Sequence, residues 1–112
     1  MNHANDSHSI LNLERGVLSA LCGDAIAADL RSGILPELRG HQWREAEHRI
    51  VYEALRNIGA RDGAGIRERL PAQATRMGFP DVNWESYFAR ETVADGDLVR
   101  MVQELLLMAG SQ

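Results

Sequence analysis

Lysine is absent from this chain, and cysteine occurs once, as Cys22. A lone cysteine excludes an internal disulfide and any cysteine-clustered zinc site. Without lysine there is no P-loop, whose lysine reaches the nucleotide phosphates. Trp, Tyr and Phe occur only twice each, so Leu, Ile, Val, Ala and Met must fill most of a core. No apolar run approaches the ~20 residues that cross a bilayer. The opening MNHANDSHS lacks the charged and apolar regions of a signal peptide. These absences point to a cytoplasmic protein with no membrane contact.

All twelve basic residues are Arg, yet sixteen acidic residues outnumber them and leave a net charge of −4. The arginine bias reads more simply as base composition than as phosphate recognition. Affinity for nucleic acid rests largely on neutralised phosphates, so direct nucleic-acid binding is not expected. The 112 residues, 45% hydrophobic and 25% charged, suit one folded domain. Residues 1–8 read as a disordered tail and residues 9–112 as a single helical domain.

The strongest pattern is the stretch from Trp43 to Ile58. Its apolar residues, Trp43, Ala46, Ile50, Val51, Ala54, Leu55 and Ile58, keep to one face of a 3.6-residue helix. Gly59 stands where a left-handed residue would end it. Before it, Ser9 is a plausible cap for a helix carrying Ile10, Leu13, Val17, Leu18 and Leu21, within which Gly16 permits close approach of a neighbour. Ala25 to Ser32 predicts a short second helix ended by Gly33, and Pro36 opens a single turn bringing Leu35 and Leu38 to the core. Residues 61–65 form a flexible connection. Ile66 to Met77 has helical spacing interrupted by Pro71, which predicts two short helices or one kinked helix. Asp81 or Asn83 can cap a helix with Trp84, Tyr87 and Phe88. Asp95 caps a last helix from Gly96 to Met108. No useful strand alternation appears. The expected fold is all-α, a compact bundle of about six helices.

No constellation for catalysis emerges. Gly63 and Gly65 are followed by Glu68 where a dinucleotide fingerprint needs a third glycine. Cys22 reads as a small buried residue and not as a nucleophile. His41 and His48 are seven residues apart, which on one helix is ~10 Å along the axis, too far to share a metal. Glu45, Arg49 and Glu53 read as surface ion pairs at i, i+4 spacing. His48 lies beside the apolar stripe and reads first as a histidine satisfied by one hydrogen bond, second as a contact for a partner. The expectation is no enzyme, no cofactor and no metal.

Order and spacing carry one resemblance. Trp43, then His48-Arg49 five positions on, then Ile50, Tyr52 and Leu55, resembles the F-x4-HR-x-I-(F/Y) pattern of the N-terminal domain of DnaB-type replicative helicases. Leu13-Glu14-Arg15-Gly16-Val17-Leu18 is similar to the family's opening E-x2-VL. Tyr87-Phe88 stands where the family has YL, preceded by Ile66 and Leu70. The similarity spans residues 10–108. Trp43 replaces the usual Phe, and residues 71–83 lack the Gly-Gly that often precedes YL.

The resemblance implies a globular helical part with a C-terminal helical hairpin that pairs subunits in the helicase collar. It also implies contact with primase or a helicase loader during DNA replication. A related fold occurs in the helicase-binding C-terminal region of bacterial primases, and the resemblance does not separate the two. As part of a longer chain this would be a helicase collar domain; standing alone it would be an adaptor.

The last helix is apolar over more of its circumference than one packing face requires. Leu98, Met101, Val102, Leu105, Leu106 and Met108 are accordingly expected to supply much of a self-association surface, for a dimer or a higher oligomer. Trp43, Ile50, Val51, Ala54 and Leu55 are expected in the core. The alternatives are a primase-type helicase-binding module and a small helix-turn-helix DNA-binding regulator, the latter suggested by the short join at Cys22-Gly23-Asp24.

Overall fold

The computed structural model describes residues 3–23, 26–58, 65–88 and 93–110, with side chains from Ile10 to Met108 except Ala28. These residues form six α-helices and no strand: α1 (His3–Cys22), α2 (Ala28–Glu37), α3 (Ala46–Ile58), α4 (Ile66–Arg76), α5 (Glu85–Phe88) and α6 (Asp95–Gly110). The all-α expectation is met. The radius of gyration, 13.4 Å, is that of a closely packed chain of this size, ~13 Å.

Helix α1 is the hub. It packs most extensively against α6, then α5 and α3, while α4 lies on α3. Ile10, Val17, Leu18 and Leu21 of α1 are buried, together with Val51, Ala54 and Leu55 of α3 and Leu98, Val102 and Leu105 of α6. Gly16 explains the close contact with α6: a methyl group built there would lie 2.6 Å from Met101 Cε.

Several boundaries differ from expectation. Helix α1 starts at His3, so the backbone of residues 3–8 is helical and the helix begins ahead of the expected start at Ser9. No Gly or Pro interrupts residues 3–15, and each residue added to an existing helix gains a hydrogen bond without a new nucleation cost. Ala25, expected to open α2, and the connection at 59–64 lie outside the described residues. Helix α2 runs through Gly33 and Pro36. Its continuation buries Ile34, Leu35 and Leu38, each worth ~1.5–3 kcal/mol, which outweighs glycine's ~1 kcal/mol helix penalty. Pro36 sits in the last turn and forfeits one bond only. By the same logic α4 is a single helix through Pro71, with Ile66, Leu70 and Ala74 all fully buried.

Helix α3 is three residues shorter than expected at its start: Trp43 precedes it, half-buried, with its ring 5.2 Å from that of Tyr52 and 4.6 Å from that of His41. Ile50, Val51, Ala54 and Leu55 are buried as expected. Helix α4 ends in a Schellman turn. Gly78 takes φ +96°, Phe79 N–H reaches Ala74 O at 2.8 Å and Gly78 N–H reaches Thr75 O at 3.0 Å.

Candidate functional site

The charged groups that matter most lie inside. Glu14 is fully buried on the apolar face of α1, four residues after Ile10 and four before Leu18. Its Oε2 accepts from His41 Nε2 at 2.6 Å, its Oε1 from His48 Nδ1 at 2.8 Å, and both oxygens from Arg44 N–H at 3.0 and 3.1 Å. Burial alone would push this carboxyl up, but the two imidazoles and the backbone N–H outweigh it and hold Glu14 below the ordinary glutamate range. An ionised carboxylate only accepts, which assigns the proton to His41 Nε2 and His48 Nδ1. His48 Nε2 faces Glu45 Oε2 at 3.8 Å, too long for a hydrogen bond.

Both histidines therefore reach one carboxylate, each at its own oxygen, which the ~10 Å expected between them along one helix does not predict. That estimate placed both on one helix, whereas His41 lies in the segment before α3 and folds back onto α1. His48 is fully buried, so it is not a partner contact. The missed residue is Glu14, and its signal was legible: a carboxylate within a stripe of Ile10, Val17, Leu18 and Leu21 requires buried donors.

A second polar tie centres on Tyr87 of α5. Its hydroxyl donates to Glu47 Oε1 at 2.8 Å, its carbonyl accepts from Ser19 Oγ, and its ring meets the His48 ring edge-on at 6.4 Å. Burial, then the Glu47 acceptor, pushes the Tyr87 hydroxyl up. Arg31, also fully buried, donates Nε to Leu21 O at 3.0 Å and Nη2 to Gly23 O. A cation thus meets the carbonyls at the end of α1, where the helix dipole favours it. Cys22 is buried beside it, and desolvation pushes its thiol up to about 12.

Among the described residues no group of three or more His, Cys, Asp or Glu could hold a metal ion. No helix there is long and apolar enough to cross a membrane. The open groove lined by Glu47, Ile50, Gly78, Phe79, Pro80, Asp81 and Val82, about 210 Å³, does not include Glu14, His41 or His48. The buried polar groups join elements to one another.

The expected interaction surface on α6 is divided. Leu98, Val102 and Leu105 are buried in the monomer, and Met101, Leu106 and Met108 are half-buried against its core. The width of the apolar stripe is largely accounted for by α1, which covers it, so those six residues do not form one free face. Leu107, which was not among them, is 73% exposed. No protein family, curated protein or solved structure matches the chain.

Proposed function

We propose that this chain is a non-catalytic protein–protein interaction domain of the DnaB-type helicase N-terminal kind, acting in subunit pairing and in contact with primase or a helicase loader. The observation that carries it is a convergence. Glu14 comes from the E-x2-VL-like segment, His48 from the HR-like segment and Tyr87 from the YL-like position. Glu14 and His48 hydrogen-bond at 2.8 Å, and the Tyr87 ring abuts His48. Residues from the three segments that carry the resemblance thus act together in holding α1, α3 and α5. Glu14, His41 and His48 are absent from the groove lining, and the Tyr87 hydroxyl is held by Glu47 at its edge, an arrangement that favours a binding role over a catalytic one.

Self-association is assigned to the C-terminal end of α6, with Leu107 as its exposed large apolar residue among those described. Light scattering over a concentration series tests the pairing, and a strict monomer at high concentration would remove it. A pull-down with primase and helicase loader from the same organism tests the replication role. Binding to neither would reduce that role to analogy of fold.

A further inference from the structure

Glu47 and Asp81 line one open groove whose apolar walls are Ile50, Phe79, Pro80 and Val82, and no basic residue lines it. Among the described residues neither carboxylate makes an ion pair with an arginine or a histidine. Arg15 and Glu45 both act at the Tyr87 hydroxyl beside Glu47, but with opposite signs, so the groove stays negative.

Its walls are fixed from two sides. The Schellman turn, with Gly78 at φ +96° and Phe79 N–H on Ala74 O at 2.8 Å, sets the 78–82 wall. Glu47 is held opposite by the Tyr87 hydroxyl at 2.8 Å and the Asn83 N–H at 3.5 Å. A carboxylate has about four lone-pair sites, so each Glu47 oxygen keeps room for a further donor. A preformed site of this kind loses little freedom on binding.

We infer that this groove receives an arginine side chain presented by an extended basic segment of a partner protein. The inference deepens the binding role proposed above, on which it rests, and names a surface other than α6.

Size, charge and the aromatic wall select that occupant. At about 210 Å³ the groove is smaller than the ~300–1,000 Å³ of pockets that enclose small molecules. It admits one long side chain while the rest of the partner stays outside. Two carboxylates beside apolar walls suit a cation on an apolar stem, whereas an aliphatic anchor would desolvate both charges without answering either. Phe79, 41% exposed, offers its ring to that cation. A guanidinium stacks on an aromatic and forks to a carboxylate, which an ammonium does not. The net charge of −4 favours a basic partner over another copy of this chain.

The test is a titration read by protein amide shifts, using capped alanine pentapeptides with arginine, lysine or norleucine at the centre. The arginine peptide should move the amides of residues 47–50 and 78–82. It should bind about threefold tighter than the lysine peptide and about tenfold tighter than the norleucine peptide, and more weakly as salt rises. Phe79→Ala and Asp81→Asn, at exposed positions and with the fold verified by circular dichroism, should each weaken binding about two- to fivefold. A norleucine peptide that binds as well as the arginine peptide overturns the inference, as do shifts that fall elsewhere or an affinity unchanged in both variants. Shifts at 78–82 on raising the protein concentration alone would give the groove to a second copy and overturn it too. Primase or loader captured equally by the parent and by the Phe79→Ala, Asp81→Asn double variant would leave the wider binding role standing while this inference falls.

Discussion

His48 Nδ1 donates to Glu14 Oε1 across 2.8 Å, joining residues thirty-four positions apart whose side chains are both withdrawn from solvent. Without the Glu14 carboxylate, two imidazole N–H groups and the Arg44 amide would be left facing an apolar interior. Each unsatisfied buried donor costs ~1–3 kcal/mol. Glu14→Ala should therefore destabilise the fold by roughly 3–5 kcal/mol. Glu14→Gln, which keeps one acceptor oxygen, should cost clearly less. Urea unfolding of the two variants checks the order, and equal losses would contradict the hydrogen-bonding account.

The same carboxylate sets an acid limb. Its folded pKa lies below the ordinary value of about 4.5, so below that pH the unfolded chain binds more protons than the folded one. Its stabilisation is complete above about pH 4.5 and is lost as pH falls from there through the depressed folded value. The stability gap between parent and Glu14→Gln should shrink over that window. A gap that stays constant from neutral pH into strong acid would show that the carboxylate is not held ionised.

Gly16 and Met101 mark where α1 and α6 come closest. Gly16→Leu must push the helices apart and should cost ~1–3 kcal/mol by overpacking. For Gly16→Ala, the helix gain of ~1 kcal/mol is set against displacing a terminal methyl at 2.6 Å, and the two effects nearly cancel. Thermal melts of the pair, at ~4–8 °C per kcal/mol for a small domain, should separate them plainly.

Leu98 and Leu107 belong to one helix but to different environments. Leu98→Ala, at a fully buried position, should cost ~2–5 kcal/mol. Leu107→Ala should change monomer stability by less than ~0.5 kcal/mol. Comparable losses at both sites would mean that Leu107 is covered within the monomer.

Cys22 is 1% exposed and its thiol is pushed up to about 12. At pH 8 it should resist a thiol-specific aromatic disulfide reagent in the native protein and react promptly in denaturant. Fast native labelling would show that the α1 terminus opens readily.

Hydrophobic spacing carried the class of fold. The core residues of α1 and α3, the last helix, and the close approach at Gly16 follow from the 3.6-residue period and from glycine's missing side chain. These are local properties, legible one helix at a time. Boundaries were less legible, because propensity argues locally while burial argues globally. Gly33, Pro36 and Pro71 each disfavour helix, yet the apolar groups beside them gain more from a continuous one.

Which residues meet was decided by tertiary structure alone. The chain places His41 and His48 in one stretch and Glu14 far upstream; only the fold of the 39–45 segment onto α1 brings both imidazoles to one carboxylate. Likewise, the sequence of α6 marks its residues as apolar without saying which of them a neighbour covers. Packing against α1 buries Leu98, Val102 and Leu105 and leaves Leu107 in water. Periodicity reports which side of a helix avoids solvent, whereas the partner that satisfies it depends on contacts between distant segments.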